Sequence, residues 1–353
     1  FQVCNIFIMS KIDFRMLIFK KILLVQIFFS FCFSQWFNLN HEGVDRPYYV
    51  RYPDNASEPR PLIINMHGFT NSVSYQIEIS EMNDYVNEKN VAVVYPQGIS
   101  DIGVYSWNVG VAWDFNTSDD IEFISILIDQ VSEDFSIDTN RVYACGYSNG
   151  GFMTYELACE LSDRITAFGS VAGNFMLNSD QQCSDLREIP IIHVHGINDA
   201  TVSYYGPSID GSFTTPETIE YWKDRNNLDQ IDSEFLNTNV EIITYSKENS
   251  NTKFKHYKVL NGSHEWVDDD WGFHTSEVLI DFFLEYELTD FFESDEIVLI
   301  GDINNDGDVT YSDAFIIISL INNESHLINS DLNFDGLTNI FDLIMIFDSI
   351  NTL

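Results

Sequence analysis

Short apolar runs alternate along the chain with longer stretches of helical period, and the apolar runs end on glycine or proline. The runs at 61–66, 91–95, 141–145, 166–171 and 190–194 read as strands buried on both faces. Residues 48–52 alternate weakly and predict an early antiparallel strand, and 240–245 and 254–260 predict later ones. Ile121, Ile124, Ile128 and Val131 fall on one side of a helix predicted over 119–131. Further helices are predicted over 151–161, 216–223 and 275–286. Strands alternating with helices imply an α/β fold whose central sheet is mostly parallel and covered on both faces. Ligands then bind where the strands end at their carboxyl side.

The two ends of the chain break this pattern. Lys20 and Lys21, after a plausible start at Met16, precede an apolar run at 22–33. That predicts a signal peptide over 1–34, with an uncleaved anchor as the alternative. The α/β domain is then expected over 35–295. Residues 299–353 contain nine Asp or Glu and no Lys or Arg, together with an internal repeat. One copy places Asp302, Asn304, Asp306, Asp308 and Asp313 at loop positions 1, 3, 5, 7 and 12. The other places Asp331, Asn333, Asp335, Leu337 and Asp342 at the same positions. Position 7 needs only its backbone carbonyl, and Gly307 and Gly336 stand at position 6, where the loop bends sharply. Each loop runs into an apolar helix, so a small all-α module holding two structural Ca²⁺ ions is expected.

Candidate chemistry centres on 141–153. An apolar strand runs into Gly146-Tyr147-Ser148-Asn149-Gly150, and a helix follows. A Ser at such a turn is lifted clear of the sheet as a nucleophile. It needs a histidine base, and the base needs an orienting acid. His264, in the polar loop after the strand at 254–260, is the base favoured over His256 in that strand and over His274 at the start of the last helix. His193 and His195 precede any good acid. Asp199, in the loop after 190–194, is the expected acid, ahead of Asp210. Asn149 N–H at the helix start and Phe69 N–H in the His67-Gly68-Phe69-Thr70 loop are the expected oxyanion donors, with Thr70 next to Phe69 in order. This chemistry calls for no metal. Trp107, Trp113 and Trp266 lie in predicted loops and are candidates to line an acyl groove.

The formal net charge of −38 excludes nucleic acid and anionic membrane surfaces as partners, since the phosphates would be repelled. Outside the leader only Cys145, Cys159 and Cys183 remain. Export permits a disulfide. Cys159 and Cys183 are the expected pair and Cys145 a buried thiol, although three cysteines leave other pairings open.

Residues 46–287 resemble the secreted poly(3-hydroxybutyrate) depolymerase and feruloyl esterase group of α/β-hydrolases, which includes carbohydrate esterases. The resemblance rests on His67-Gly68, Tyr95-Pro96-Gln97-Gly98, Asp119-Asp120, Gly146 to Gly151, Val171-Ala172-Gly173, His195-Gly196 with Asp199, and Gly262-Ser263-His264-Glu265-Trp266. It implies Ser148, Asp199 and His264 as a triad and supports the Cys159–Cys183 pair. One departure is Phe69-Thr70, where many relatives carry a small residue or Cys after Gly. Residues 299–350 resemble a type I dockerin, which implies a cohesin-like partner. Loop positions 10 and 11 here are Tyr311-Ser312 and Ile340-Phe341, unlike each other and unlike the common Ser-Thr pair. The expected function is a secreted serine carboxylic-ester hydrolase acting on polyhydroxyalkanoate-type polyester or on feruloyl or acetyl esters of polysaccharide. The alternative is a calcium-dependent binding protein of an extracellular glycan-degrading assembly, with a hydrolase fold that does not catalyse.

Overall fold

The computed structural model describes residues 34–54, 56, 58–109, 116–176, 183, 187–206, 211–291, 303–304, 309–322, 330, 332 and 338–352. They fall into two compact units divided after Thr289. The leader expected over 1–34 lies outside the described residues apart from Ser34.

The first unit is built on one sheet. Its strands are β1 (Ser34–His41), β2 (Val44–Arg51), β3 (Arg60–Met66), β4 (Ala92–Pro96), β5 (Ile137–Tyr147), β6 (Ala167–Val171), β7 (Ile191–Gly196), β8 (Gln230–Asn237), β9 (Val240–Ser246) and β10 (Phe254–Val259). Among the described residues their order is β1-β2-β4-β3-β5-β6-β7-β10-β9-β8. The middle, from β4 to β10, is parallel, while β1–β2–β4 at one side and β10–β9–β8 at the other are antiparallel. The unbroken apolar runs produce the parallel middle because both of its faces are covered. Leu62, Ile63 and Ile64 of β3 are fully buried, and so are Val142, Tyr143, Ala144 and Cys145 of β5.

Helix α1 (Val73–Ser80) follows β3, α2 (Asp120–Asp134) precedes β5, and α3 (Asn149–Glu160) leaves it. Then come α4 (Thr215–Arg225) and α5 (Thr275–Phe283). Asp119 caps α2 by accepting the Glu122 N–H at 2.9 Å. The helix buries Phe123, Ile124, Leu127, Ile128 and Val131. Ile121 only edges the core. β1, β8 and α1 were not expected from the pattern. β8 is exposed along nearly its whole length, with Ile231 and Phe235 about two-thirds open to solvent.

Cys159, in the last turn of α3, is bonded to Cys183 with Cα atoms 4.7 Å apart. Cys145 is a free, buried thiol whose pKa is pushed up by burial. The bridge spans 24 residues. Loop closure of that size predicts that Cys183→Ser costs about 3 kcal/mol in denaturant unfolding. Mass spectrometry of unreduced protein should yield one cross-linked peptide joining Cys159 to Cys183. A cross-link through Cys145 would contradict this pairing.

The second unit contains α6 (Tyr311–Asn322) and α7 (Ile340–Thr352). They pack around Ile303, Val309, Ala314, Ile317, Leu332 and Ile346.

Candidate active site

Ser148 sits between β5 and α3 with φ 55° and ψ −115°. A residue with a Cβ is rarely held there, and the cost is accepted where the geometry serves a site. The turn is pinned on both sides. Ser148 N–H donates to the Val171 carbonyl at 2.8 Å, and its own carbonyl accepts from Phe152 N–H at 3.0 Å. Gly150 lets the helix start against β3, because a Cβ there would stand 2.7 Å from the His67 carbonyl oxygen.

His264 arrives in the loop after β10 and Asp199 in the loop after β7. The Ser148 hydroxyl is 2.9 Å from His264 Nε2, and His264 Nδ1 is 2.7 Å from Asp199 Oδ2. A carboxylate can only accept, so Nδ1 carries the proton and Nε2 is left to take one from serine. Asp199 is held by its own loop, its Oδ1 accepting Thr201 and Val202 N–H groups at 2.8 Å each. Burial alone would raise its pKa. The donors from His195 and His264 outweigh burial and hold the carboxyl well below its ordinary range. Tyr147 steadies the base, with its ring centroid 5.0 Å from that of His264 and its hydroxyl donating to the His264 carbonyl at 2.9 Å.

The competing histidines are engaged elsewhere. His274 caps α5, accepting the Ser276 N–H at 3.2 Å. His256 is fully buried in β10 and bonded to Tyr204 and to the His193 carbonyl. Asp210 lies outside the described residues.

The loop after β3 runs beside the nucleophile turn. A Cβ added to Gly68 would be 3.3 Å from Ser148 Cβ. Thr70 N–H donates to the Tyr105 carbonyl at 2.8 Å, which takes that amide out of consideration as an oxyanion donor. His67 is buried, and burial pushes its pKa down to about 4. Its Nε2 accepts the Gly98 N–H at 2.9 Å.

Two of the three tryptophans are buried in the structure. Trp107 is fully buried. Its indole N–H donates to the His67 carbonyl at 2.9 Å, and Arg46 lies over its ring at 5.5 Å. The Asn149 side chain grips the Trp107 backbone at two points, accepting its N–H at 2.7 Å and donating to its carbonyl at 3.2 Å. Trp107 therefore ties the loop after β3 to the helix that begins after Ser148. Trp266 is also buried and donates to Ser276 Oγ at 3.2 Å. Trp113 lies outside the described residues. Among the described residues, the large aromatic rings exposed between β3 and α2 are Phe69, Tyr75 and Tyr105. Phe69 was singled out for its backbone amide only, and no period or motif distinguished Tyr75 or Tyr105.

In the second unit, Asp302, Asp306, Asp308, Asp331, Asn333, Asp335 and Leu337 lie outside the described residues. The position-12 carboxylates are described, and both are buried. Asp313 accepts N–H groups from Ile303 at 2.8 Å, Asn304 at 3.1 Å and Thr310 at 2.9 Å. Asp342 does the same for Leu332 at 2.8 Å and Asn339 at 2.7 Å. Each carboxylate closes its own loop in the same way, bringing loop positions 2 and 9 together. That closure, with oxygen side chains at the alternate positions of both loops, fits a hard divalent cation.

A family model described as Phospholipase/Carboxylesterase matches residues 52–231, and one described as Dockerin type I domain, a calcium-binding type, matches 300–351. Among curated proteins, the chain is 30% identical over 163 residues to the bifunctional acetylxylan esterase/xylanase XynS20E of Neocallimastix patriciarum. It is 28% identical over 161 residues to feruloyl esterase B of Piromyces equi. These alignments cover 46% and 44% of this chain but only 23% and 30% of those relatives' own lengths. Among solved structures, acetyl xylan esterase from Aspergillus awamori superposes with a TM-score of 0.53 at 14% identity, covering 71% of this chain and 99% of that one. A feruloyl esterase module from Clostridium thermocellum complexed with sinapinate gives 0.50 at 13% identity, covering 72% and 87%. At such identities the likeness concerns the α/β-hydrolase fold. The family match spans just over half the chain and contains the nucleophile turn and Asp199, so the chain belongs to the phospholipase/carboxylesterase family.

Proposed function

We propose that the protein is an extracellular serine carboxylic-ester hydrolase that removes feruloyl or acetyl groups from polysaccharide through an acyl-enzyme. The observation that carries this reading is the hydrogen-bonded chain from Ser148 through His264 to Asp199, at 2.9 Å and 2.7 Å. In this reading Ser148 Oγ attacks the ester carbonyl as His264 Nε2 takes its proton. Asp199 holds the imidazole in the right tautomer and stabilises the imidazolium. Asn149 N–H, at the start of α3, and Phe69 N–H stabilise the oxyanion. The proton passes to the departing sugar alcohol, and water, activated by the same histidine, then releases the acid.

The activities for which those relatives are named, on acetylxylan and feruloyl esters, favour polysaccharide esters over polyester. The dockerin match supports an extracellular, assembly-type setting with a cohesin-like partner. We assign a leader to 1–34, the hydrolase domain to 35–295 and the dockerin domain to 299–353, with one Ca²⁺ in each repeat. A panel of methyl ferulate, acetylated xylan and polyhydroxybutyrate tests the substrate. Turnover of polyhydroxybutyrate alone would shift the reading to polyester. Absence of turnover on all three and on p-nitrophenyl acetate would favour the non-catalytic binding protein.

A further inference from the structure

Asp199 Oδ2 has a second partner besides His264. His195 Nε2, from the end of β7, lies 3.2 Å away, and both side chains are fully buried. The same nitrogen is 2.9 Å from the Val202 carbonyl. Both neighbours can only accept, so His195 Nε2 must carry a proton. In the neutral ring this leaves Nδ1 as an acceptor. It faces His193 Nε2 at 3.1 Å and the Thr215 hydroxyl at 3.3 Å. His193 then carries its proton on Nε2, and its Nδ1 accepts from the Tyr155 hydroxyl at 2.7 Å. From Tyr155 onwards every donor points the same way, and the last, His195 Nε2–H, is shared between the Val202 carbonyl at 2.9 Å and Asp199 Oδ2 at 3.2 Å.

The surroundings fit that direction. Burial, followed by the charges that His195 and His256 would carry, pushes the His193 pKa well below its ordinary value, which keeps the ring neutral. Burial pushes the Tyr155 phenol well above its ordinary range, so it stays a donor. Tyr155 is fixed between Phe175 and Trp222, with centroids 5.8 Å and 5.7 Å away. The adjacent His256 does not compete. Its Nδ1–H goes to the His193 carbonyl, and its Nε2 accepts from Tyr204.

We propose that His195, backed by His193 and Tyr155, is a positioning residue that fixes the Asp199 carboxylate for His264 through a one-way chain of buried donors. This rests on the reading of Ser148, His264 and Asp199 as a hydrolytic triad. A carboxylate gripped at both oxygens cannot rotate about its Cβ–Cγ bond, and His264 Nδ1–H finds its acceptor already aimed. Hydrogen bonds to charged groups in low-dielectric surroundings are the stronger ones.

Two variants and one spectrum test it. His195→Phe keeps the ring and loses the donor, and should lower kcat by about 10- to 100-fold with KM nearly unchanged. His195→Gln can still donate from its amide and should recover most of that loss. Long-range proton–nitrogen NMR spectra of histidine-labelled wild type should place the proton of both His193 and His195 on Nε2, and that of His256 on Nδ1. Wild-type kcat in His195→Phe, or a His195 proton on Nδ1 alone, would overturn the proposal. If both variants fold poorly, the wild-type spectrum decides. A wild type with these tautomers but no ester turnover would uphold the donor chain and sink the esterase reading instead.

Discussion

Replacing Ser148 with alanine should lower kcat on p-nitrophenyl acetate by about 10⁴-fold or more, because the acyl-enzyme can no longer form. His264→Ala should be nearly as damaging, since it removes the acceptor that lies 2.9 Å from the serine hydroxyl. Asp199→Asn should be milder: the asparagine keeps the shape but cannot stabilise the imidazolium. The three losses should not add, because the residues act as one unit. Thermal melts of each variant establish that the site is lost and the fold is not. Near wild-type turnover in His264→Ala, together with its loss in His274→Ala, would reassign the base. The present geometry gives His274 to the capping of α5 instead.

Chelation should unfold the C-terminal unit and leave ester turnover almost untouched. Nine acidic side chains and no basic ones fall in 299–353, and they repel one another unless a cation stands among them. Asp313 and Asp342 each hold a loop shut from its twelfth position. The buried contacts of Ile317 and Ile346 depend on both loops closing. In small metal-dependent modules the free energy of binding is the free energy of folding. EDTA should therefore open new protease sites within 299–353, and added Ca²⁺ should remove them. The proposed triad lies wholly in the other unit, so turnover on a soluble ester should change by less than about twofold. Loss of turnover with the tail still protease-resistant would place a calcium requirement in the hydrolase unit.

The turn at Ser148 was legible because several local rules agree there: an apolar strand, glycines where the backbone crowds, and a helix start. The parallel middle of the sheet was legible for a related reason, since strands buried on both faces read as unbroken apolar runs. β8 was not. Asp232, Ser233 and Glu234 interrupt it, and it is held by pairing to β9 rather than by burial. β1 begins at the expected cleavage point, beside the apolar leader pattern, and Asn38 and Asn40 break up its apolar positions. The burial of Trp107 and Trp266 was not legible, because an aromatic in a loop reads as surface from sequence. Trp107 is drawn into the core by partners 40 and 42 residues away, His67 and Asn149. His193 and His195 were set aside by the Ser, acid, His order, which identifies a base but says nothing of what supports the acid. Which helix residues meet in the C-terminal unit was also hidden, since Phe315 is as apolar as Ile317 yet lies exposed.

The exposed β8 has a consequence for handling the protein. Among the described residues it is the last strand of the sheet, and no described strand pairs with its outer edge. Ile231, Phe235 and Leu236 are open to solvent along it, and Asp232 and Glu234 are the charges set between them. Such an edge invites pairing with a second sheet, and interleaved charge is one device that discourages it. Near neutral pH the net charge of −38 also keeps copies apart. Salt screens both of these charge effects. Raising the salt concentration should therefore favour association of copies along this edge.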